Sequence, residues 1–185
     1  LKKQQPDRGI ETMFRVTYRT HINLSSIADN KANILLSINA IIISVVFGSI
    51  LGDSDNPNYV LWPAFLQLAV SLGTMIFAIL STRPKVNSLS FSRDDIIQKK
   101  TNLLFFGNFH NISLKDYQWG INEMMKDSEY LYGTMSKDIY FLGVVLAKKF
   151  RLLRFSYNIF MYGMIGVVVF ALIIFLAFPD RATGL

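Results

Sequence analysis

Two sets of side chains in this sequence could hold a small charged ligand. The first lies near the N-terminus, where Arg15, Arg19, His21, Asn23, Asp29, Asn30 and Lys31 crowd into one segment. The second surrounds a Phe-rich stretch, with Lys99, Lys100, Asn102, Asn108 and His110 beside Phe105, Phe106 and Phe109. Guanidinium and ammonium groups suit a phosphate, and carboxamides can read a base edge. The phenylalanines, with Tyr117 and Trp119, could stack on a base. The plainer alternative makes the cations a solvated face and the aromatics the core of a small helical bundle. For the aromatics the core is the simpler account.

Catalysis finds little support in the residues. The two histidines, His21 and His110, are far apart, and no His-Asp pair, His-x-x-x-His spacing or carboxylate cluster offers a metal site. No Gly-rich phosphate loop or nucleophile elbow stands out. There is no cysteine, which excludes disulfides, thiolate metal sites and a Cys nucleophile. The expectation is a chain that is not an enzyme and carries no metal and no cofactor.

The elements that must position these groups are helices built for a bilayer. From Ala32 to Gly52 about 21 residues carry no charge, enough to cross a membrane as a helix. No proline interrupts the chain between Gly9 and Gly52, so one helix is expected over 9–52, after a linker at 1–8. A helix of roughly 40 residues measures about 60 Å, twice the hydrocarbon thickness, so about half of it must stand in water as a stalk. A second uncharged span covers 60–82 and ends at Arg83-Pro84-Lys85; a third covers 155–178, after the basic cluster Lys148, Lys149, Arg151 and Arg154. Between them, 86–154 reads as a cytosolic helical insert. Ser92-Arg-Asp-Asp95 predicts a helix to about Leu104, and Ser113-Leu-Lys-Asp116 opens a longer one that runs on through Ile139, Leu142 and Leu146, with Gly120 and Gly133 inside it. The predicted fold is therefore all-α: an integral membrane protein of three transmembrane helices, a stalk and an insert.

The charge agrees with this. The net charge is +6, but the basic residues sit in the N-terminal segment and after Arg83, whereas the 52–59 loop carries only Asp53 and Asp55. Such asymmetry is the signature of membrane topology, with the N-terminus and insert cytoplasmic and the C-terminus outside, and it gives no reason to expect nucleic acid as a partner.

Polar residues also form stripes. On the first helix Arg15, Arg19, Asn23, Ser26, Asn30, Asn33 and Ser37 recur at spacings of three and four, followed by Ala40, Ser44 and Gly48 on the same face. Asn39 is a further amide in or near the apolar span. On the second helix Gln67, Ser71, Thr74, Ala78 and Ser81 do the same. Such stripes serve either as packing faces, most simply against each other or around a shared axis in a homo-oligomer, or as the wall of a hydrated pore. Gly163 and Gly166 offer another surface for close approach.

Several segments together resemble one known family. Arg15-Val-Thr-Tyr-Arg-Thr-His-Ile-Asn-Leu-Ser-Ser-Ile-Ala-Asp-Asn-Lys-Ala-Asn33 and Ser37-Ile-Asn-Ala-Ile-Ile-Ile-Ser44 look like the start of the Pycsar effector transmembrane family. Ser81-Thr-Arg-Pro-Lys85, Lys99-Lys-Thr-Asn-Leu-Leu-Phe-Phe-Gly-Asn-Phe109 and Ser136-Lys-Asp-Ile-Tyr-Phe-Leu-Gly143 extend the likeness from about Gly9 to Phe178. The resemblance implies a bacterial anti-phage effector of the inner membrane, which impairs that membrane when cyclic CMP or cyclic UMP is made during infection. It also implies a frequent N-terminal HD-type phosphohydrolase domain. A chain that begins with a linker at Leu1 fits the C-terminal part of such a protein, and its alternative role is then a non-catalytic anchor and oligomerisation domain. The expected partners are the lipid bilayer, further copies of the chain, the cyclic pyrimidine nucleotide and a fused or associated phosphohydrolase domain.

Overall fold

The computed structural model describes residues 7–52, 58–83, 96–98, 102–105, 109 and 112–177. Four long helices hold nearly all of them: α1 (Asp7–Gly52), α2 (Asn58–Thr82), α3 (Leu114–Met125) and α4 (Ser128–Ala177). No strand occurs among the described residues. α1 has 46 residues and α4 has 50, about 70 Å and 75 Å of unbroken helix. α1, α2 and α4 are each long and apolar enough to cross a membrane. The predicted continuity of the first helix is present, and the predicted stop at Gly52 ends it.

The chain divides into two compact units. The described residues of Ser26–Arg83 and Lys148–Leu185 form an apolar unit, and those of Leu1–Ser25 and Pro84–Ala147 form a charged one. In the apolar unit α1, α2 and α4 meet at small side chains. Ala28, Ala32 and Leu35 of α1, Ala78 of α2 and Leu153 of α4 are fully buried, with Leu36, Phe150 and Phe160 packed against them. Alanine and glycine let helix backbones approach closely where no hydrophobic effect drives association. Gly163 shows it most sharply: a Cβ there would lie 2.4 Å from Val70 Cγ1. Gly166, expected to share that role, meets nothing within 4 Å. Around this seam the helices turn large apolar side chains outward, among them Ile41, Val45 and Phe47 of α1, Leu72 and Ile76 of α2, and Ile165, Leu172 and Phe175 of α4. An apolar exterior over a core of small residues is the inverse of a water-soluble bundle and suits a lipid solvent. Lys149 bonds Asp29 at 2.7 Å, tying α4 to α1 at the charged margin of the unit.

In the charged unit the core is Phe14, Ile96, Leu103, Met124 and Tyr130. Phe14 stacks on Tyr132 with ring centroids 6.1 Å apart, and Phe109 packs on Tyr117 at 5.2 Å. Phe105, Phe109, Tyr117 and Trp119 are half-buried at the edge of this core, and Phe106 lies outside the described residues. The capping expected at Ser113 is present: its Oγ accepts from Asp116 N at 3.1 Å and donates to the Asp116 carboxylate at 2.7 Å.

Two expectations are corrected here. The helix opened at Ser113 does not run on through Leu146; it ends at Met125 and a new one starts at Ser128. The break comes from Asp127, whose carboxylate accepts from Glu129 N at 3.0 Å and Tyr130 N at 3.1 Å, and so caps α4 at its N-terminus. The glycines are not the cause. Gly120 lies mid-α3, where a Cβ would come 2.8 Å from Leu103, and Gly133 sits within unbroken α4. The first insert helix also does not reach Leu104: residues 96–97 are helical, but 102–105 are not. Asn102 turns the chain there, its Oδ1 accepting from Leu104 N and Phe105 N at 3.0 and 3.3 Å. The capping box at Ser92 lies outside the described residues, as do the 53–57 turn and Pro84-Lys85.

Candidate functional site

In the charged unit a cavity of about 490 Å³ opens between α1 and α4. From α1 come Glu11, Phe14, Arg15, Tyr18 and Arg19, residues three and four apart and hence on one helical face. From α4 come Met135, Asp138 and Ile139, again within one turn, and Leu104 completes the wall. The volume is that of a site for a small organic ligand, and the lining mixes aromatic and aliphatic surface with a few charges. Arg15 forms an ion pair with Glu11, one turn away. Arg19 makes no ion pair among the described residues.

Asp138 is the unusual member. It is only 7% exposed, and Asn102 Nδ2 donates to its Oδ1 at 3.4 Å. Burial pushes the Asp138 carboxyl above the usual carboxylate range, and the Asn102 bond draws it partly back. Asp138 stands 17 residues before Phe155, outside the uncharged span. Because the folded state holds this proton more tightly than the unfolded one, stability falls as pH rises from about 3.8 through the folded value, and the penalty is fully present above that value. Asp138→Asn is therefore expected to melt above the parent chain at pH 7, with the gap closing as the pH is lowered towards 4. A pH series of thermal melts checks this; a gap that is constant or reversed would contradict it.

The sequence-predicted ligand residues are partly gathered here. Arg15 and Arg19 share the cavity wall, and Asn102 supports it through Asp138. His21 lies elsewhere on α1: a Cβ at Gly143 of α4 would be 3.9 Å from the imidazole, and His21 Nδ1 is buried without a hydrogen-bond partner among the described residues. Asn23 is exposed and lines no part of the cavity. Lys99, Lys100, Asn108 and His110 lie outside the described residues. Sequence reasoning missed Asp138 and Tyr18. The signal for Asp138 was its register, because Tyr130, Thr134 and Asp138 follow at intervals of four and all are buried. Among the described residues no three His, Asp or Glu side chains converge on a point that could hold a metal ion.

The apolar unit sorts the predicted polar stripes. Gln67, Ser71 and Thr74 of α2 are all buried, with Gln67 Nε2 donating to Ser71 Oγ at 3.2 Å. Thr74 Oγ1 donates to the Val70 carbonyl at 2.8 Å, and Ser156 of α4 donates to the Thr74 carbonyl at 2.7 Å. Asn39 is wholly buried; its Nδ2 donates to the Leu35 carbonyl at 2.8 Å, and its Oδ1 has no partner among the described residues. Asn33, Ser37 and Ser44 are exposed on the outside of the unit, Ser44 bonding only back to the Ala40 carbonyl. The simplest expectation, that the two stripes face each other within the chain, is thus corrected. The buried face of α1 is Ala28, Ala32, Leu35 and Asn39, two residues and so about 200° away from Asn30, Asn33 and Ser37. Ala28 and Ala32 let the neighbouring helices approach closely, and Asn39 fits the same face with its Nδ2 bonded back to the Leu35 carbonyl.

An all-helical chain with three apolar spans, small residues at their seam and hydrocarbon on the outside defines an integral membrane protein. Its family follows from the sequence over the same helices: the Pycsar effector protein domain matches residues 12–177, and the chain belongs to that family. It is accordingly an effector domain of Pycsar anti-phage defence. Comparison with curated proteins and with solved structures returned no match.

Proposed function

We propose that this chain is a non-catalytic effector that assembles as a homo-oligomer in the bacterial inner membrane and impairs it when a cyclic pyrimidine mononucleotide, cyclic CMP or cyclic UMP, arrives. The observation that carries the reading is the row Asn33, Ser37 and Ser44, exposed on the outside of an otherwise apolar unit. Polar groups at bilayer depth are costly against lipid and are retained where they meet a partner or water. Copies of the same row, brought round a common axis, satisfy one another when closed and line a wet path when parted. The signal is received in the charged unit, where the cavity offers arginines and aromatic surface. α1 and α4 are each unbroken through both units, so a ligand that alters how they pack in one bears on the other. The basic residues support a charged unit on the cytoplasmic side and a C-terminus outside.

The absence of cysteine makes the assembly simple to test, because an introduced cysteine is the only one. Ser37→Cys is expected to give an oxidative cross-link between copies in the membrane, whereas Leu72→Cys, on the exposed apolar face of α2, is not. Equal cross-linking at both sites, or none at Ser37, would remove the row from the interface.

A further inference from the structure

We infer that the cavity between α1 and α4 is the nucleotide site and that Asp138 reads the base there, favouring cytosine over uracil. The inference rests on the proposed response to a cyclic pyrimidine nucleotide and adds where the ligand sits and which base it carries.

Three features of the cavity suit such a ligand. Arg15 and Arg19 stand one turn apart on α1; Arg15 pairs with Glu11, and the Arg19 guanidinium, without an ion pair among the described residues, is the group that takes a phosphate. Phe14 is held in place by its stack on Tyr132, while Tyr18, 45% exposed, offers a ring face at the rim. Aromatic faces hold a base without regard to its identity, so they do not choose between pyrimidines.

The choice falls to Asp138. It is the cavity's one buried ionisable group, and its position is held from behind. Asn102 Oδ1 is committed to two backbone N–H groups, which fixes the amide and turns Nδ2 to Asp138 Oδ1. Oδ2 accepts from no protein donor among the described residues. A carboxylate oxygen accepts a hydrogen bond and, ionised, offers none. Cytosine presents an exocyclic amine, a donor; at the same position uracil presents a carbonyl, a second acceptor that would face the carboxylate lone pair to lone pair. Discrimination of about tenfold or more is the scale of one such match against one such clash.

The test is calorimetry on the full chain in detergent with cyclic CMP, cyclic UMP and cyclic AMP, repeated on Asp138→Asn and Arg19→Gln. The parent chain is expected to bind cyclic CMP about tenfold more tightly than cyclic UMP. With Asn102 Nδ2 still donating to the side-chain oxygen, Asp138→Asn turns its own NH2, a donor, to the base, so the preference for cyclic CMP is expected to be lost or reversed. Arg19→Gln should weaken both alike and keep their ratio. Equal binding of the two pyrimidines by the parent, a preference for cyclic UMP, or a ratio unmoved by Asp138→Asn would overturn the base-reading role while leaving the effector reading intact. No binding of either nucleotide would overturn the site itself; if vesicles holding the chain also fail to leak with either, the effector reading falls with it.

Discussion

Gly163→Ala is expected to loosen the apolar unit by about 1–3 kcal/mol, and Gly163→Leu by more. The added methyl would sit 2.4 Å from Val70 Cγ1 and 2.8 Å from Val70 Cγ2, with Val70 Cβ only 3.2 Å away. Turning the valine about χ1 gives little relief, since both branches crowd the site and a helical valine has one strongly preferred rotamer. The helices themselves must part, and the small-residue seam of Ala28, Ala32 and Ala78 then loses its close contact. The compensating change is specific: Val70→Ala combined with Gly163→Ala should recover most of the loss. Melting of the purified chain in detergent reads both effects. A Gly163→Ala chain that melts with the parent would mean that α2 and α4 do not approach as described.

The second large effect concerns the outward row. Asn33→Leu with Ser37→Leu replaces two exposed polar groups by leucine on the face turned away from α2 and α4. Nothing in the buried seam changes, so the chain should still fold and enter the membrane. If copies meet through this row, the double variant should form altered oligomers and lose at least about tenfold in nucleotide-triggered dye release, because a wet path lined by leucine dewets. Asn39→Leu is a different experiment. Asn39 is wholly buried within the unit, with its Oδ1 unpartnered, so leucine there removes an unsatisfied acceptor and acts through packing. Unchanged oligomer size and unchanged release in the Asn33/Ser37 variant would exclude the row from the mechanism.

The contrast between these positions marks how far the sequence could be read. The three spans were legible because about twenty uncharged residues in succession have few other uses, and 9–52 was legible as one helix because nothing in it stops a helix; the observed helix starts two residues earlier, at Asp7. Ser113 was legible because its cap is made within three residues. The inward face of α1 was not. Both the row through Asn33 and Ser37 and the row through Ala32 and Leu35 repeat at helical period, and periodicity says that faces differ, not which one meets a neighbour. Asp127 was hidden for a related reason: a single acidic residue stops one helix and caps the next only when the chain turns there, which tertiary packing decides. At the cavity, Arg15 and Arg19 could be paired by their spacing of four. Asp138 could not be joined to them, because 119 residues of sequence separate it from Arg19 and only the packing of α4 on α1 brings them to one wall.

In the proposed function a cyclic pyrimidine mononucleotide makes this chain breach a membrane. The most direct measurement is release of a trapped dye from lipid vesicles containing the purified chain, on addition of cyclic CMP, cyclic UMP or cyclic AMP. Rapid, dose-dependent release is expected with a pyrimidine, strongest with cyclic CMP, with none on addition of cyclic AMP and none from vesicles without protein. Intact vesicles at saturating cyclic CMP and cyclic UMP, holding chain shown to be folded, would contradict it.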